Sequence, residues 1–438
     1  MDKWIENAFF YHIYTLGFCD APKRNDFYSQ PIERLNKIYQ WIPHLKSMGI
    51  NTLFLGPLFE SESHGYDTVD YFNVDRRLGT NDTLKKLISE LHKNNIKVVL
   101  DGVFNHSSRH FFAFKDLKEH RENSYYRNWY QNIRFGLNNY FNDGFCYDGW
   151  AGHINLVKFN LLNHETREHI FDAVRMWIKE FDIDGLRLDA ADVIDFRFLK
   201  DLTKVCKNLK DDFWIKGEVV HGDYNKWFND GGLDSTTNYE VYKSMWSSFN
   251  DKNFFEINYS LNRQFGEGGI YKNKILYNFL DNHDVNRITD TVKNTAHLYP
   301  LYGLMFTIPG IPSVYYGSEF EIKGKRTNNS DEELRPSLNL DELKKSQSSL
   351  IDSIKRFAEI KKNHKSLKKG TYKNLSISNE TLVFLRNFED ENIVVAINNS
   401  CEKKHVSVKN FYKGHDILNN EEVLFNNLEI HPNWLRII

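Results

Sequence analysis

The strongest constraint on this chain is a unit that returns along roughly its first 320 residues: an amphipathic helical stretch, a break, then a short continuous apolar run. Ile32, Leu35, Ile38, Tyr39 and Ile42 recur at three- and four-residue steps, and Met48-Gly49-Ile50 then leads into NTLFLGPLF. That order reads as helix, glycine stop and buried strand. The unit returns with Leu84, Leu87, Ile88 and Leu91 behind the cap-capable pair Thr80-Asn81, ahead of IKVVLDGVF. It returns again with Ile170, Val174, Trp177, Ile178 and Phe181 before IDGLRLDAA, and with Leu199, Leu202, Cys206 and Leu209 before FWIKGEVV. Apolar runs that do not alternate in polarity suit a parallel sheet covered on both faces.

Strands are expected near FFYHIYTL, NTLFLGP, KVVLDGV, GLRLDAA, FWIKGEV, GLDSTTN, ILYNFLD and PSVYYG, and eight is the number that closes a (β/α)8 barrel. An open doubly wound sheet is the rival. Between the third strand and the helix opening near Glu165, residues 104–161 are rich in Asn, Tyr, Phe, Trp and Gly, and so long a connection usually serves function. After about residue 365 the pattern changes to paired strands, TLVFLRNF and NIVVAINNS, then KHVSV and further short runs. The expected chain is therefore α/β: a (β/α)8 TIM barrel over 1–103 and 162–365, a domain inserted at 104–161 after strand 3, and a C-terminal antiparallel β-sandwich over 366–438.

Composition narrows the function. With 26% charged and 41% hydrophobic residues, the chain is neither disordered nor collagen-like. A net charge of −2 gives no basic excess for nucleic acid or anionic lipid. No run of about 18 apolar residues is present to span a membrane, and the opening MDKWIENAFFYHIYTLGF lacks the parts of a signal peptide. A cytoplasmic, soluble protein is expected, as monomer or homodimer. Cys19, Cys146, Cys206 and Cys401 show no metal-finger spacing and read as buried thiols in a reducing compartment. The 33 Phe, 23 Tyr and 9 Trp suit either a large core or platforms for sugars.

In barrels of this kind the chemistry sits at the C-terminal strand ends. Three expected strands end in acids: Asp189 in GLRLDAADV, Glu218 in IKGEVVH and Asp284 in LDNHD. A fourth, KVVLDGVFNH, ends in Asp101, Asn105 and His106, and Arg187 lies two residues before Asp189, on the same strand face. Like charges sharing a site push one pKa up, which keeps a carboxyl protonated to act as an acid. Paired carboxylates serve metal-assisted hydrolysis or glycosidic cleavage, and the lack of HExxH weakens the metal version. In cleavage with retention, one carboxylate attacks the anomeric carbon while a second, about 5–5.5 Å away, protonates the leaving oxygen.

The segments DGVFNH (101–106), GLRLDAADV (185–193), GEVVH (217–221) and FLDNHD (279–284) resemble the four signature regions of the α-amylase superfamily of glycoside hydrolases. SHGYDTVDY (63–71) and GIPSVYYGSE (310–319) fit in the same order, so the resemblance spans residues 8–320. It implies Asp189 as nucleophile, Glu218 as general acid/base and Asp284 as the acid holding the ring hydroxyls of the strained sugar. It also implies that Arg187 orients Asp189, that His106 and His283 bond the sugar, that Tyr66 stacks on it, and that Asp101 belongs to the binding site. His221 is a candidate for the leaving-group side. The 104–161 insertion becomes that family's domain B and the tail its domain C.

LVKFN (156–160) is similar to the MPKLN segment of the neopullulanase and cyclomaltodextrinase branch. The first strand starts near Phe9, which leaves no room for the extra N-terminal sugar-binding domain common there. Asp192-Val193 stands where many endo-acting α-amylases have Lys-His. Asn105 matches a calcium ligand of the family, but a hard cation needs six or more oxygens, so no cofactor is required and calcium is left open. The expected activity is retaining hydrolysis of α-1,4-glucosidic bonds in maltooligosaccharides, with cyclodextrins in reach. The alternatives are a transglycosylase of the same fold or an endo-acting, starch-degrading α-amylase. The aromatic and amide-rich stretch from Tyr125 to Trp150 is expected to wall and shorten the cleft on the glycone side.

Overall fold

A computed structural model describes residues 3–327, 330–346 and 348–438. The eight expected strands all form: β1 (Phe10–Ile13), β2 (Thr52–Leu55), β3 (Lys97–Gly102), β4 (Gly185–Leu188), β5 (Trp214–Gly217), β6 (Ser235–Thr236), β7 (Tyr277–Phe279) and β8 (Ile311–Tyr315). Their order is β6-β5-β4-β3-β2-β1-β8-β7, every pairing is parallel, and a parallel bridge from Thr237 to Tyr277 joins the two ends. The open doubly wound sheet is thereby excluded. Phe10, Phe54, Val99, Trp214, Tyr277 and Ile311 pack inside as one cluster, while Tyr11, Leu53, Val98, Leu186 and Ile215 join the helix-facing core. Both faces are apolar, which is why the strands read as unbroken runs.

The first unit departs from the expected helix. A 3-10 stretch, Arg34–Trp41, precedes the short helix α1 (Ile42–Ser47), and Ile32 is exposed outside both. Pro43 stands in the first turn of α1; its ring would collide with the carbonyl four residues back, so no single α-helix can run through it. Gly49 then takes φ +80 and stops the helix. The later units follow expectation. Helix α2 (Asn81–Lys93) opens on a capping box of Thr80 and Thr83, α3 (His164–Phe181) is capped by Asn163, and α4 (Phe196–Leu209) by Asp195.

Within 104–161, His106–Ser108 and Gly149–Trp150 pair antiparallel with His153–Lys158, behind a helix at Phe112–His120. After α5 (Tyr239–Asn250), α6 (Leu298–Thr307) and α7 (Leu350–Asn363), the chain ends in a four-stranded antiparallel sheet. Its strands are β9 (Thr371–Ile377), β10 (Thr381–Phe388), β11 (Glu391–Asn398) and β12 (Trp434–Ile437). Val383, Val394 and Ala396 pack from this sheet onto Val408, Phe425, Leu428 and Ile430, which come from two short ribbons and their links. On the other face, Leu382 and Phe384 join the barrel core.

All four cysteines are free thiols; Cys19 and Cys206 are buried, but Cys146 is half-buried and Cys401 exposed. The expectation of four buried thiols is corrected for those two, which lie in the insertion and in the turn after β11, away from the barrel core. Among the described residues no helix is long and apolar enough to cross a membrane.

Candidate active site

Register builds the site. Asp101 on β3 lies beside Arg187 on β4, which lies beside Lys216 on β5. The ladder runs one step past the strands: Asp189 N donates to Gly102 O at 3.1 Å and Glu218 N to Leu188 O at 2.9 Å. Each acid is thus fixed where its strand ends. The Arg187 guanidinium, 2% exposed, donates from Nη1 to both Asp101 oxygens at 2.7 and 2.9 Å and to Asp189 Oδ1 at 3.0 Å. Its Nη2 lies 2.6 Å from Glu218 Oε2. Tyr239, at the start of α5, donates from its hydroxyl to Glu218 Oε1 at 3.3 Å and receives a bond from Asn282.

A second chain of contacts runs from Asp101 to β7. The Tyr66 hydroxyl reaches Asp101 Oδ2 at 3.0 Å and His283 Nε2 at 2.5 Å, with its ring nearly parallel to that of His283. His283 Nε2 is 2.9 Å from Asp284 Oδ2, whose other oxygen accepts from Arg335 Nη2 at 3.1 Å. Arg335 also donates to the His283 carbonyl and lies over the Tyr14 ring.

The charges pull in opposite directions. Burial raises the Asp189 carboxyl well above the usual range; Arg187 opposes this, but Glu218, Asp101 and Asp284 add to it. Burial likewise raises Asp101 against Arg187. Asp284 is held low in spite of burial, by His283 and Arg335. Burial takes His106 down to about 4, so its ring is neutral at neutral pH. Its Nε2–H then donates to Tyr66 O at 3.0 Å, and its bare Nδ1 accepts from Asn105 Nδ2 at 3.1 Å. Asn105 thus orients His106. Among the described residues no three His, Cys, Asp or Glu side chains gather as a group that could hold a metal ion.

Of the residues singled out in the sequence, Asp101, Arg187, Asp189, Glu218, Tyr66, His283 and Asp284 share one network, with His106 and Asn105 behind Tyr66. His221 stands apart: it is exposed, and among the described residues no hydrogen bond ties it to the cluster. Sequence reasoning missed Tyr239, Asn282, Tyr14 and Arg335. Tyr239 and Asn282 follow β6 and β7 closely, a position that flags them; Arg335 lies in irregular chain long after β8 and carries no such signal.

A cleft of about 1590 Å3 opens beside Asp284, lined among others by Tyr14, His64, Arg335, and by Tyr242 and Trp246 four apart on α5. No residue of the Tyr125–Trp150 stretch lines this cleft, and neither Asp189 nor Glu218 does. Within that stretch Phe145 and Tyr147 pack on Phe114, as Tyr130 does, while Tyr125, Tyr140 and Phe141 are exposed. Trp150 alone approaches the site, 5.7 Å from His106 ring to ring.

Comparison with known proteins agrees with this architecture. Residues 12–349 match the family described as "Alpha amylase, catalytic domain" and residues 370–424 an "Alpha-amylase C-terminal domain". A cyclomaltodextrinase of Thermoanaerobacter pseudethanolicus is 28% identical over 100% of this chain and 78% of its own length. One from a Bacillus species is 30% identical over 90% of this chain and 73% of its own. The solved cyclic α-maltosyl-(1→6)-maltose hydrolase of Arthrobacter globiformis superposes with a TM-score of 0.84 at 25% identity, covering 100% of this chain and 98% of that one. This chain is a glycoside hydrolase and belongs to the α-amylase family.

Proposed function

We propose that the protein hydrolyses α-1,4-glucosidic bonds of maltooligosaccharides, linear and cyclic, with retention of anomeric configuration. The observation that carries this reading is a single buried guanidinium, Arg187, bonded to Asp189 on β4 and to Glu218 on β5. Asp189 attacks the anomeric carbon, and the glycosidic bond breaks as Glu218 passes a proton to the leaving oxygen. Water then attacks the glycosyl ester and gives its proton to Glu218, which frees Asp189. Three carboxylates around one guanidinium leave excess negative charge, which favours holding a proton within the cluster for the first step.

Asp284, kept ionised by His283 and Arg335, accepts from hydroxyls of the sugar ring. His106, neutral, and the Tyr66 ring flank that sugar. The cleft that opens beside Asp284 gives room for sugars beyond the reacting one. The names of the relatives, cyclomaltodextrinase and cyclic α-maltosyl-(1→6)-maltose hydrolase, support cyclic maltodextrins among the substrates.

The test is NMR of the first-formed reducing end from maltotriose and a cyclodextrin, with product sizing. The α-anomer and products no longer than the input are expected. First-formed β-anomer contradicts the mechanism, and accumulation of longer oligomers reassigns the chain as a transglycosylase.

A further inference from the structure

A second cavity, of about 320 Å3, lies between the N-terminal ends of β1 and β2 and helix α7. Phe9 and Asn51, which line it, immediately precede β1 and β2. Asp101, Asp189, Glu218 and Asp284 stand at the opposite ends of their strands, so this cavity is on the face of the barrel away from the active site. Part of its lining is apolar, with Phe9 and Phe306 in edge contact at 4.9 Å.

Five lysines also line it: Lys46, Lys355, Lys361, Lys362 and Lys368. The two acids that share the lining are engaged elsewhere, Glu6 with Lys369 at 2.8 Å and Glu359 with Arg356 at 2.8 Å. Of the lysines, Lys355 lies 3.6 Å from Asp352 and Lys46 bonds Asn94 Oδ1 at 3.1 Å, and among the described residues no carboxylate pairs with the other three. The excess of positive charge stands out in a chain of net charge −2. Lys361 is 6% exposed, and its ammonium donates to Phe306 O at 3.1 Å and Leu367 O at 2.9 Å. A lysine has three donors, so one is left over, and among the described residues no carboxylate pairs with it. Arg386, fully buried, likewise bonds only carbonyls, those of Thr307, Gly370 and Thr371. Burial holds Lys361 well below its ordinary value and Arg386 down to about 9, and Arg386 itself adds to the fall at Lys361. A buried ammonium without a counter-charge is costly, and Lys361 lines the cavity, so an anion there would relieve that cost at Lys361.

The donor type narrows the anion. No arginine lines the cavity, so the planar fork that matches carboxylate and phosphate alike is missing, and several ammonium point charges favour an anion that carries two charges over a singly charged carboxylate. Several ammonium groups acting as point charges suit a phosphate. The volume lies at the small end of ligand sites, room for a phosphate with a body no larger than one sugar.

We propose that this cavity binds a phosphate monoester dianion, its phosphate among the lysines and its body against Phe9 and Phe306. Lys368 Nζ also bonds Asn7 Oδ1 at 3.0 Å, linking the N-terminal segment to the chain that enters the C-terminal sheet. Filling the cavity therefore stabilises the junction of barrel and sheet.

The test is thermal unfolding and titration calorimetry of the full chain with inorganic phosphate and with glucose 6-phosphate, against glucose and NaCl at matched ionic strength. A saturable rise in Tm and a saturable heat with either phosphate are expected. Tighter binding of the ester assigns a role to the apolar lining, and equal binding assigns the site to phosphate itself. Lys355→Ala/Lys362→Ala, which alters partly or fully exposed side chains, should weaken binding at least about tenfold by removing charge-assisted contacts, with the unliganded Tm retained. Lys361→Met should abolish it. A rise reproduced by NaCl, no saturable heat, or unchanged affinity in the double variant would overturn the proposal.

Discussion

Replacing Asp189 by Asn should make the protein more stable while removing its activity. Asp101 and Asp189 each place an oxygen within 3.0 Å of the same Arg187 nitrogen, so those oxygens are under about 6 Å apart. At an effective dielectric of about 20, two charges at that distance repel by about 3 kcal/mol, against about 4 kcal/mol of attraction to a guanidinium at about 4 Å. Glu218 and Asp284 add further repulsion, and burial adds its own cost, so the Asp189 charge is a net loss to the folded state. The amide keeps an oxygen for Arg187 and drops the charge. A gain of about 1–2 kcal/mol is expected, and over 438 residues that is a Tm rise of about 1–2 °C.

The pH dependence fixes the sign. A carboxyl whose folded pKa lies above its unfolded value contributes stability at low pH and loses it as pH rises through that window. The advantage of Asp189→Asn should therefore be absent near pH 4 and grow towards pH 7, read by calorimetry across the series. Hydrolysis of maltotriose should fall by at least about 10^4, as for loss of a nucleophile that acts within a unit. A Tm that drops by more than about 2 °C at pH 7, or a gain that is largest at low pH, would refute the electrostatic reasoning.

Further outcomes can be checked alongside. Glu218→Gln should lower kcat on maltotriose by about 10^2–10^4, the contribution of a positioned acid, yet leave the release of fluoride from α-maltosyl fluoride far less affected, since that leaving group needs little protonation. Arg335→Ala removes a charge-assisted bond to Asp284 worth about 1.5–3 kcal/mol, so kcat/KM should fall by about 10–100-fold, while Arg335→Lys recovers part of it. Incubation with EDTA should leave most activity intact, and complete loss that calcium restores would place a metal at the site. On soluble starch, kcat/KM per chain end should be at least about tenfold below that on maltotriose to maltohexaose, a difference of about 1.4 kcal/mol; parity would assign the chain to the endo-acting, starch-degrading group.

The barrel was legible because most of its strands are buried, largely apolar runs and most of its helices carry a periodic stripe, so local and tertiary preferences agree; β6, only Ser235–Thr236, is the strand with no apolar run of its own. The exception, the stretch before β2, fails where Pro43 overrides a helical period that Leu35 and Ile38 otherwise obey. Strand-end acids were legible because a barrel exposes its chemistry at one rim. What was not legible depends on irregular chain. Arg335 reaches Asp284 from a segment with no period to place it, and composition alone could not tell whether the rings between Tyr125 and Trp150 face the cleft or each other. Packing decides that residue by residue: Tyr130, Phe145 and Tyr147 gather on Phe114, while Tyr125, Tyr140 and Phe141 stay exposed.

The most direct test of the central claim is to trap the glycosyl ester. Glu218→Gln, incubated with α-maltosyl fluoride, should accumulate a covalent adduct one maltosyl unit heavier by intact mass spectrometry, because the first step needs little acid help and the second lacks its base. Peptide mapping should place that unit on Asp189. A maltosyl unit on any other residue, or no adduct alongside first-formed β-anomer from the unaltered enzyme, would contradict the account.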